Sequence, residues 1–68
     1  MKPLTEEDEV VLRAFADHNM DTSKTARALY MHRNTVMYHL DKIQKKTHVD
    51  PRSFYGLSYL LRRALKRA

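Results

Sequence analysis

The sequence predicts an all-α fold, a small four-helix domain that contains a helix-turn-helix. Its 68 residues include only one Gly and two Pro, so few positions favour a turn over a helix. No run alternates apolar and polar residues over the length of a strand, whereas apolar residues recur at spacings of three and four. A chain of this length forms at most one domain. We therefore expect a single domain over residues 1–68, with helices at about 6–18, 22–29, 33–47 and 51–66.

Helix one begins with a capping signal. Thr5 and Asp8 have the spacing of a capping box, and the acidic run 6–9 suits the positive end of a helix dipole. One face of the helix is formed by Val11, Ala14, Phe15 and His18. Asn19 tolerates the left-handed conformation that often ends a helix, so we expect helix one to end near residue 18.

A short second helix follows a tight turn. Asp21 can cap this helix, and Ala26 and Leu29 are spaced to face inward. The four residues 29–32 are long enough only for a sharp corner, with His32 as the cap of the next helix. Because Ala26 is small, the helices on either side of the corner can approach each other closely.

Helix three carries the clearest apolar stripe in the chain. Its inner residues, separated by four, three and four positions, are Val36, Leu40, Ile43 and Thr47. The opposite side of the helix is outward by elimination, with Arg33 at its tip. His39 lies at the edge of the stripe, where we expect it to pack and to form a hydrogen bond with a neighbour. His48 is expected to end the helix.

Helix four is predicted to start at Asp50-Pro51, a capping residue followed by proline at the first helical position. Gly56 costs this helix about 1 kcal/mol. Its inner face is expected to hold Phe54, Leu57, Leu61, Ala64 and Leu65. Beside that face lie three more apolar residues, Tyr55, Tyr59 and Leu60. This surplus is either a homodimer interface or a surface that packs on helix one and on the stems of basic side chains.

Positive charge is concentrated in the later part of the chain. Residues 1–21 carry two basic groups and six acids, a net charge of −4, whereas residues 22–68 carry eleven basic groups and two acids, a net charge of +9. Such asymmetry indicates a nucleic acid or an anionic membrane surface as partner, or else a basic surface that only keeps the domain in solution.

The outward side of helix three has the chemistry of a DNA reader. Arginine can form two parallel hydrogen bonds to guanine, asparagine can do the same to adenine, and threonine offers a methyl group and a hydroxyl. We expect base contacts from Arg33, Asn34, Thr35 and Tyr38. Candidate phosphate ligands on helices two and three are Ser23, Lys24, Thr25, Lys42, Lys45 and Lys46. Asp41 is expected to pair with Lys45, four residues on.

Segment 28–47, which reads ALYMHRNTVMYHLDKIQKKT, resembles the C-terminal helix-turn-helix of PucR-type bacterial transcription regulators, a group that includes sugar-diacid regulators. The resemblance extends from Asn19 to the last helix. It implies DNA binding by helix three, in regulators that usually carry larger sensory regions upstream. Members commonly have arginine at the positions of Met37 and His39, and glycine at that of His48. The same segment is also similar to the LuxR-type pattern, in which a fourth helix mediates dimerisation.

The predicted function is therefore transcription regulation by a homodimer on double-stranded DNA. The rival hypothesis is a helical protein-interaction module that docks a partner on the Tyr59/Leu60 side. We expect no enzymatic activity, because Ser53 and Ser58 lack a recognisable His/Asp arrangement. No metal or other cofactor is expected, since no two of the four His lie at i,i+4 on a helix and the chain has no Cys. No apolar segment reaches the roughly 18 residues of a membrane span, so we expect a cytoplasmic protein without membrane association.

Overall fold

The structure is a computed structural model that describes residues 4–66, with side chains through residue 63. Four helices follow one another, α1 (Glu6–Asp17), α2 (Thr22–Ala28), α3 (Arg33–Thr47) and α4 (Phe54–Lys66). No strand occurs among these residues, and the predicted all-α class is confirmed. The inner positions predicted for Ala64 and Leu65 concern side chains that lie outside the described residues.

The first three helices begin at the predicted caps. The Thr5 hydroxyl accepts a hydrogen bond from the Asp8 N–H, and the Asp8 carboxylate accepts one from the Thr5 N–H, both at 3.1 Å. The Asp21 carboxylate accepts a hydrogen bond from the Lys24 N–H at 2.9 Å, and His32 Nδ1 accepts one from the Asn34 N–H at 3.0 Å. Each cap satisfies a backbone donor that the helix itself leaves unpaired.

The corners use left-handed residues that carry side chains. Asn19 has the left-handed conformation that its residue type favours, with φ of 55°, and His48, predicted to end α3, is also left-handed, with φ of 59°. Met20 and Tyr30 also have positive φ, 61° and 55°, which the sequence did not indicate because neither residue type favours this region. Tyr30 occupies the corner before α3 and is 97% exposed.

A single apolar core holds the four helices together. Its buried members are Val11, Leu12, Phe15, Ala26, Val36, Leu40, Ile43, Leu57 and Leu60. α3 packs against both α1 and α2, and α4 packs against α1. The predicted stripe of α3 is confirmed, because Val36, Leu40 and Ile43 have no solvent exposure. α3 therefore turns its opposite side to solvent.

The predicted start of α4 at residue 51 is wrong. Asp50 accepts a hydrogen bond from the Arg52 N–H at 2.9 Å, which closes a short turn instead of a helical one. Ser53 is the residue that caps α4, because its hydroxyl accepts from the Gly56 N–H at 2.9 Å and its carbonyl accepts from the Leu57 N–H at 2.9 Å.

Two positions of α4 differ from the predicted inner face. Phe54, predicted to be inside, is 67% exposed, because it is the first residue of a helix that starts three positions later than expected. Leu60, expected either at a homodimer interface or packed on helix one, is 2% exposed and belongs to the core with Leu57, so its assignment to a dimer interface is wrong. Leu60 is therefore not available to a partner.

We predict that Gly56→Ala destabilises the domain, although alanine is the better helix former. A Cβ at residue 56 would overlap the backbone carbonyl of Asp50 and crowd the Ser53 hydroxyl at 2.7 Å. Relieving this overlap requires the capping turn to move, so we expect a loss of about 1–3 kcal/mol in the free energy of unfolding. Chemical denaturation followed by circular dichroism measures this loss. Ser58→Ala, in the next turn, is the control and should change stability by less than about 0.5 kcal/mol; equal stability of both variants would contradict the prediction.

Candidate nucleic-acid interface

The first turns of α3 present a polar tip to solvent. Arg33, Asn34 and Thr35 are exposed, and Tyr38 is 60% exposed. Among the described residues, no side-chain hydrogen bond or ion pair occupies the first three. The structure thus places the four predicted base readers together on the open side of α3, with unused donors and acceptors.

The ring of Tyr38 is held from two sides. The His39 ring meets it edge-on at a centroid distance of 5.5 Å, and the Lys42 ammonium lies 5.5 Å from its centroid. Such contacts orient an aromatic ring without covering its exposed side. The tyrosine is therefore positioned before any partner arrives.

At the start of α2, two of the three residues predicted to contact phosphate are accessible to a partner. Ser23 and Lys24 are exposed. Thr25, in contrast, is fully buried, with its hydroxyl donating to the Asp21 carbonyl at 2.7 Å and its N–H donating to the same oxygen at 3.0 Å. The prediction for Thr25 is corrected, because both of its donors are used inside the fold.

Lys45 lies on the outward side of α3, and it does not have the predicted ion-pair partner. The Asp41 carboxylate instead accepts a hydrogen bond from Arg52 at 2.8 Å, across the turn that leads to α4. Lys45 is exposed and has no ion pair among the described residues. Its ammonium group can therefore neutralise an external phosphate.

The other two lysines of α3 point to α1, where they meet the buried carboxylate of Asp8. One oxygen of Asp8 lies 3.0 Å from His39 Nδ1 and 3.3 Å from Lys42 Nζ. The other oxygen accepts from Lys46 Nζ at 3.0 Å and from the Thr5 N–H at 3.1 Å. We call Asp8, His39, Lys42 and Lys46 the Asp8 cluster.

The Asp8 cluster corrects two more predictions. Lys42 and Lys46, expected to contact phosphates, are engaged by an internal carboxylate. His39 is 5% exposed and packs while hydrogen-bonding a neighbour, as predicted. The capping-box spacing of Thr5 and Asp8 indicates only the capping role of Asp8. The signal that could have revealed its second role is its spacing of three, four and seven residues from Val11, Leu12 and Phe15, which places it on the buried face of α1.

The Asp8 carboxyl stays ionised in spite of burial. Burial raises its pKa, but the hydrogen bonds from His39, Lys46, the Thr5 N–H and Lys42 together lower it further, so the pKa lies well below its ordinary value of 3.8. The result is a charged link between α1 and α3. It joins the two helices through charged groups at 3.0–3.3 Å.

Residues 4–66 contain neither a cluster suited to a metal ion nor a helix suited to a membrane. No group of three or more His, Asp or Glu side chains could hold a metal ion there. None of the described helices is both long enough and apolar enough to cross a membrane.

Comparisons with known proteins point to one family. The sequence model described as "PucR C-terminal helix-turn-helix domain" matches residues 10–65. The uncharacterized protein YxkF of Bacillus subtilis (strain 168) is 31% identical over 52 residues, which are 74% of this chain and 18% of that protein. The chain thus spans less than one fifth of the length of this curated relative. No solved structure matches the chain.

We predict that Asp8 contributes to stability in a pH-dependent way. A carboxyl whose pKa is lower in the folded than in the unfolded chain stabilises the fold above its unfolded pKa, and this contribution is lost as the pH falls below about 4. Asp8→Asn should therefore reduce the free energy of unfolding by about 1–3 kcal/mol at pH 6, and its stability should fall less steeply than that of the wild type below pH 4. Thermal unfolding at a series of pH values measures both effects.

The control for this prediction is Asp17→Asn, which removes an exposed carboxyl from the other end of α1. Below pH 4, the stability of this variant should fall with pH as steeply as that of the wild type. Wild-type and Asp8→Asn curves that run parallel below pH 4 would show that Asp8 is not the titrating group.

Proposed function

This chain belongs to the family of PucR C-terminal helix-turn-helix domains, and from that premise we propose that α3 is a recognition helix that reads base edges in the major groove of double-stranded DNA. The family relation indicates DNA binding within a transcription regulator. The observation that carries the proposal for α3 is the exposed tip of Arg33, Asn34 and Thr35 opposite a fully buried aliphatic stripe. A helix-turn-helix reads its site with such a tip.

Each residue at the tip has a partner among the base edges. Arg33 can bond O6 and N7 of guanine, and Asn34 can bond N6 and N7 of adenine. Thr35 offers its methyl group to thymine, and Tyr38 offers its hydroxyl to a base or a phosphate. Since Arg33, Asn34 and Thr35 have no side-chain hydrogen bond or ion pair among the described residues, the energetic cost of freeing them for DNA is small.

Phosphate contacts are assigned to the side chains that the fold leaves outside. These are Ser23 and Lys24 on α2 and Lys45 on α3. They lie on the two helices that flank the corner, so they can reach backbone on either side of a groove that α3 enters. They position the domain, whereas the tip of α3 supplies the preference for sequence.

A homodimer is proposed from the exposed aromatic side of α4. Tyr55 is 84% exposed and Tyr59 is 40% exposed. Phe54 joins them, with its ring 5.4 Å from that of Tyr55, and takes the place that the sequence had assigned to Leu60. Two copies joined there would bind a palindromic site with half-sites about one helical turn apart.

The same aromatic side is the basis of the rival function, a protein-interaction module. Its large exposed rings would suit a partner protein as well as a second copy. The two functions differ in their response to salt, because only DNA binding releases condensed counterions. Binding to a protein with little salt dependence, and to no duplex, would favour the module.

We predict that Asn34→Ala reduces sequence preference by about 1–3 kcal/mol, since it removes a pair of hydrogen bonds to one base. The measurement is selection from random duplexes by the wild type, followed by titration of the selected duplex and an unrelated duplex. Lys45→Ala should instead weaken binding to both duplexes alike, and should make the slope of log K against log salt shallower by about 1.

The control for this pair is Arg13→Ala, which removes one exposed positive charge from α1. It should keep both the sequence preference and a slope close to that of the wild type. The proposal for α3 is wrong if Asn34→Ala and Lys45→Ala both bind the selected duplex as the wild type does.

We predict that Tyr55→Ser combined with Tyr59→Ser shifts the domain from dimer to monomer in sedimentation equilibrium, because the exposed rings supply the apolar area of the interface. The same variant should lose its preference for paired half-sites while still binding a single half-site. Val10→Ser, at a 48% exposed position on α1, is the control and should leave the dimer intact. A wild type that stays monomeric on a palindromic duplex would contradict the dimer.

A further inference from the structure

We propose that Asp8 is a specificity-determining residue of the DNA-binding surface: its buried carboxylate retains the ammonium groups of Lys42 and Lys46 and so withholds two positive charges from sequence-independent phosphate binding. This inference rests on the proposed function of α3. It adds that Asp8 affects the ratio of sequence-specific to sequence-independent affinity for DNA.

The geometry separates three neighbouring lysines into two classes. Lys45 is exposed and unpaired among the described residues. Lys42 and Lys46 lie 3.3 Å and 3.0 Å from Asp8, with side chains only 28% and 21% exposed. They leave α3 toward α1, whereas Lys45 leaves it toward solvent. A charge count along the sequence cannot distinguish these classes, because all three are lysines within five residues.

The retention is strong because Asp8 itself has no access to water. Its side chain is 0% exposed, so its charge is balanced only by groups of the protein. If Lys42 and Lys46 both moved to DNA phosphates, the carboxylate would keep His39 and the Thr5 N–H but lose both of its full positive charges. A buried carboxylate that loses its ion-pair partners is strongly destabilised. DNA therefore competes poorly with Asp8 for these two lysines.

The consequence falls on non-specific binding. Affinity for DNA of any sequence rests on the number of phosphates that cations neutralise, and each neutralised phosphate adds about 0.9 to the magnitude of the salt slope. Because Asp8 retains two lysines, fewer phosphates are neutralised and the non-specific affinity is lower, while the base contacts of Arg33 and Asn34 are left unchanged. The ratio of specific to non-specific affinity is therefore higher than in a domain with all three lysines directed outward.

Asp8→Asn tests the inference directly. The variant keeps the size of the side chain and an oxygen for the capping hydrogen bond, but its amide cannot retain two ammonium groups. We expect the salt slope to become steeper by about 1–2 and binding to an unrelated duplex to tighten by about 3–10-fold at low salt. Fluorescence anisotropy on the selected and the unrelated duplex, from 50 to 200 mM salt, measures both effects. The triple variant Asp8→Asn, Lys42→Met, Lys46→Met should return the slope to that of the wild type.

A purely structural role for Asp8 gives a different result. In that case Asp8→Asn would lower affinity for both duplexes equally and leave the slope unchanged, which would overturn the inference. Circular dichroism of each variant identifies any that does not fold.

A second test does not depend on the folding of the Asp8 variant. In the wild-type background, Lys42→Met and Lys46→Met should each leave the salt slope within about 0.3 of the wild type, whereas Lys45→Ala lowers it by about 1. Slopes lowered equally by all three substitutions would overturn the inference but leave the proposed role of α3 intact. A wild type that binds no duplex would overturn both.

Discussion

Complete burial of Val36, Leu40 and Ile43 is the constraint on which the rest of this structure depends. Three aliphatic side chains at helical spacing fix the rotation of α3 about its own axis, because any other rotation would expose them to water at a cost of roughly 1.5–3 kcal/mol each. The polar tip of α3 faces outward as a consequence. Its chemistry becomes available to a partner only because the opposite side is withdrawn from solvent.

Apolar packing has little directional preference, whereas the ion pairs and hydrogen bonds of the Asp8 cluster are directional. Ion pairs and hydrogen bonds at about 3 Å fix the position of α3 along and across α1. The apolar stripe thus decides which side of α3 is presented, and the charged link decides where that side is held. A small domain with so little core area needs both kinds of contact to hold one helix in a single position against the others.

The parts of the molecule that follow from local spacing were predictable, and the parts that depend on distant partners were not. Helical periodicity located four helices and the outward side of α3, and capping residues placed three of the helix starts. Thr25 and Lys46 were assigned to the surface because a residue type alone does not reveal a partner 4 or 38 positions away. The predicted start of α4 is wrong because Asp50-Pro51 is equally compatible with a turn. The hydrogen bond that the Ser53 hydroxyl accepts starts the helix at Phe54 instead.

The corners of the fold have a consequence for engineering. Met20 and Tyr30 are exposed residues in the left-handed region, a conformation that costs an ordinary side chain roughly 1–2 kcal/mol. Neither belongs to the tip of α3 or to the Asp8 cluster. Asparagine or glycine at these two positions would relieve that backbone strain, so both substitutions are expected to raise the free energy of unfolding.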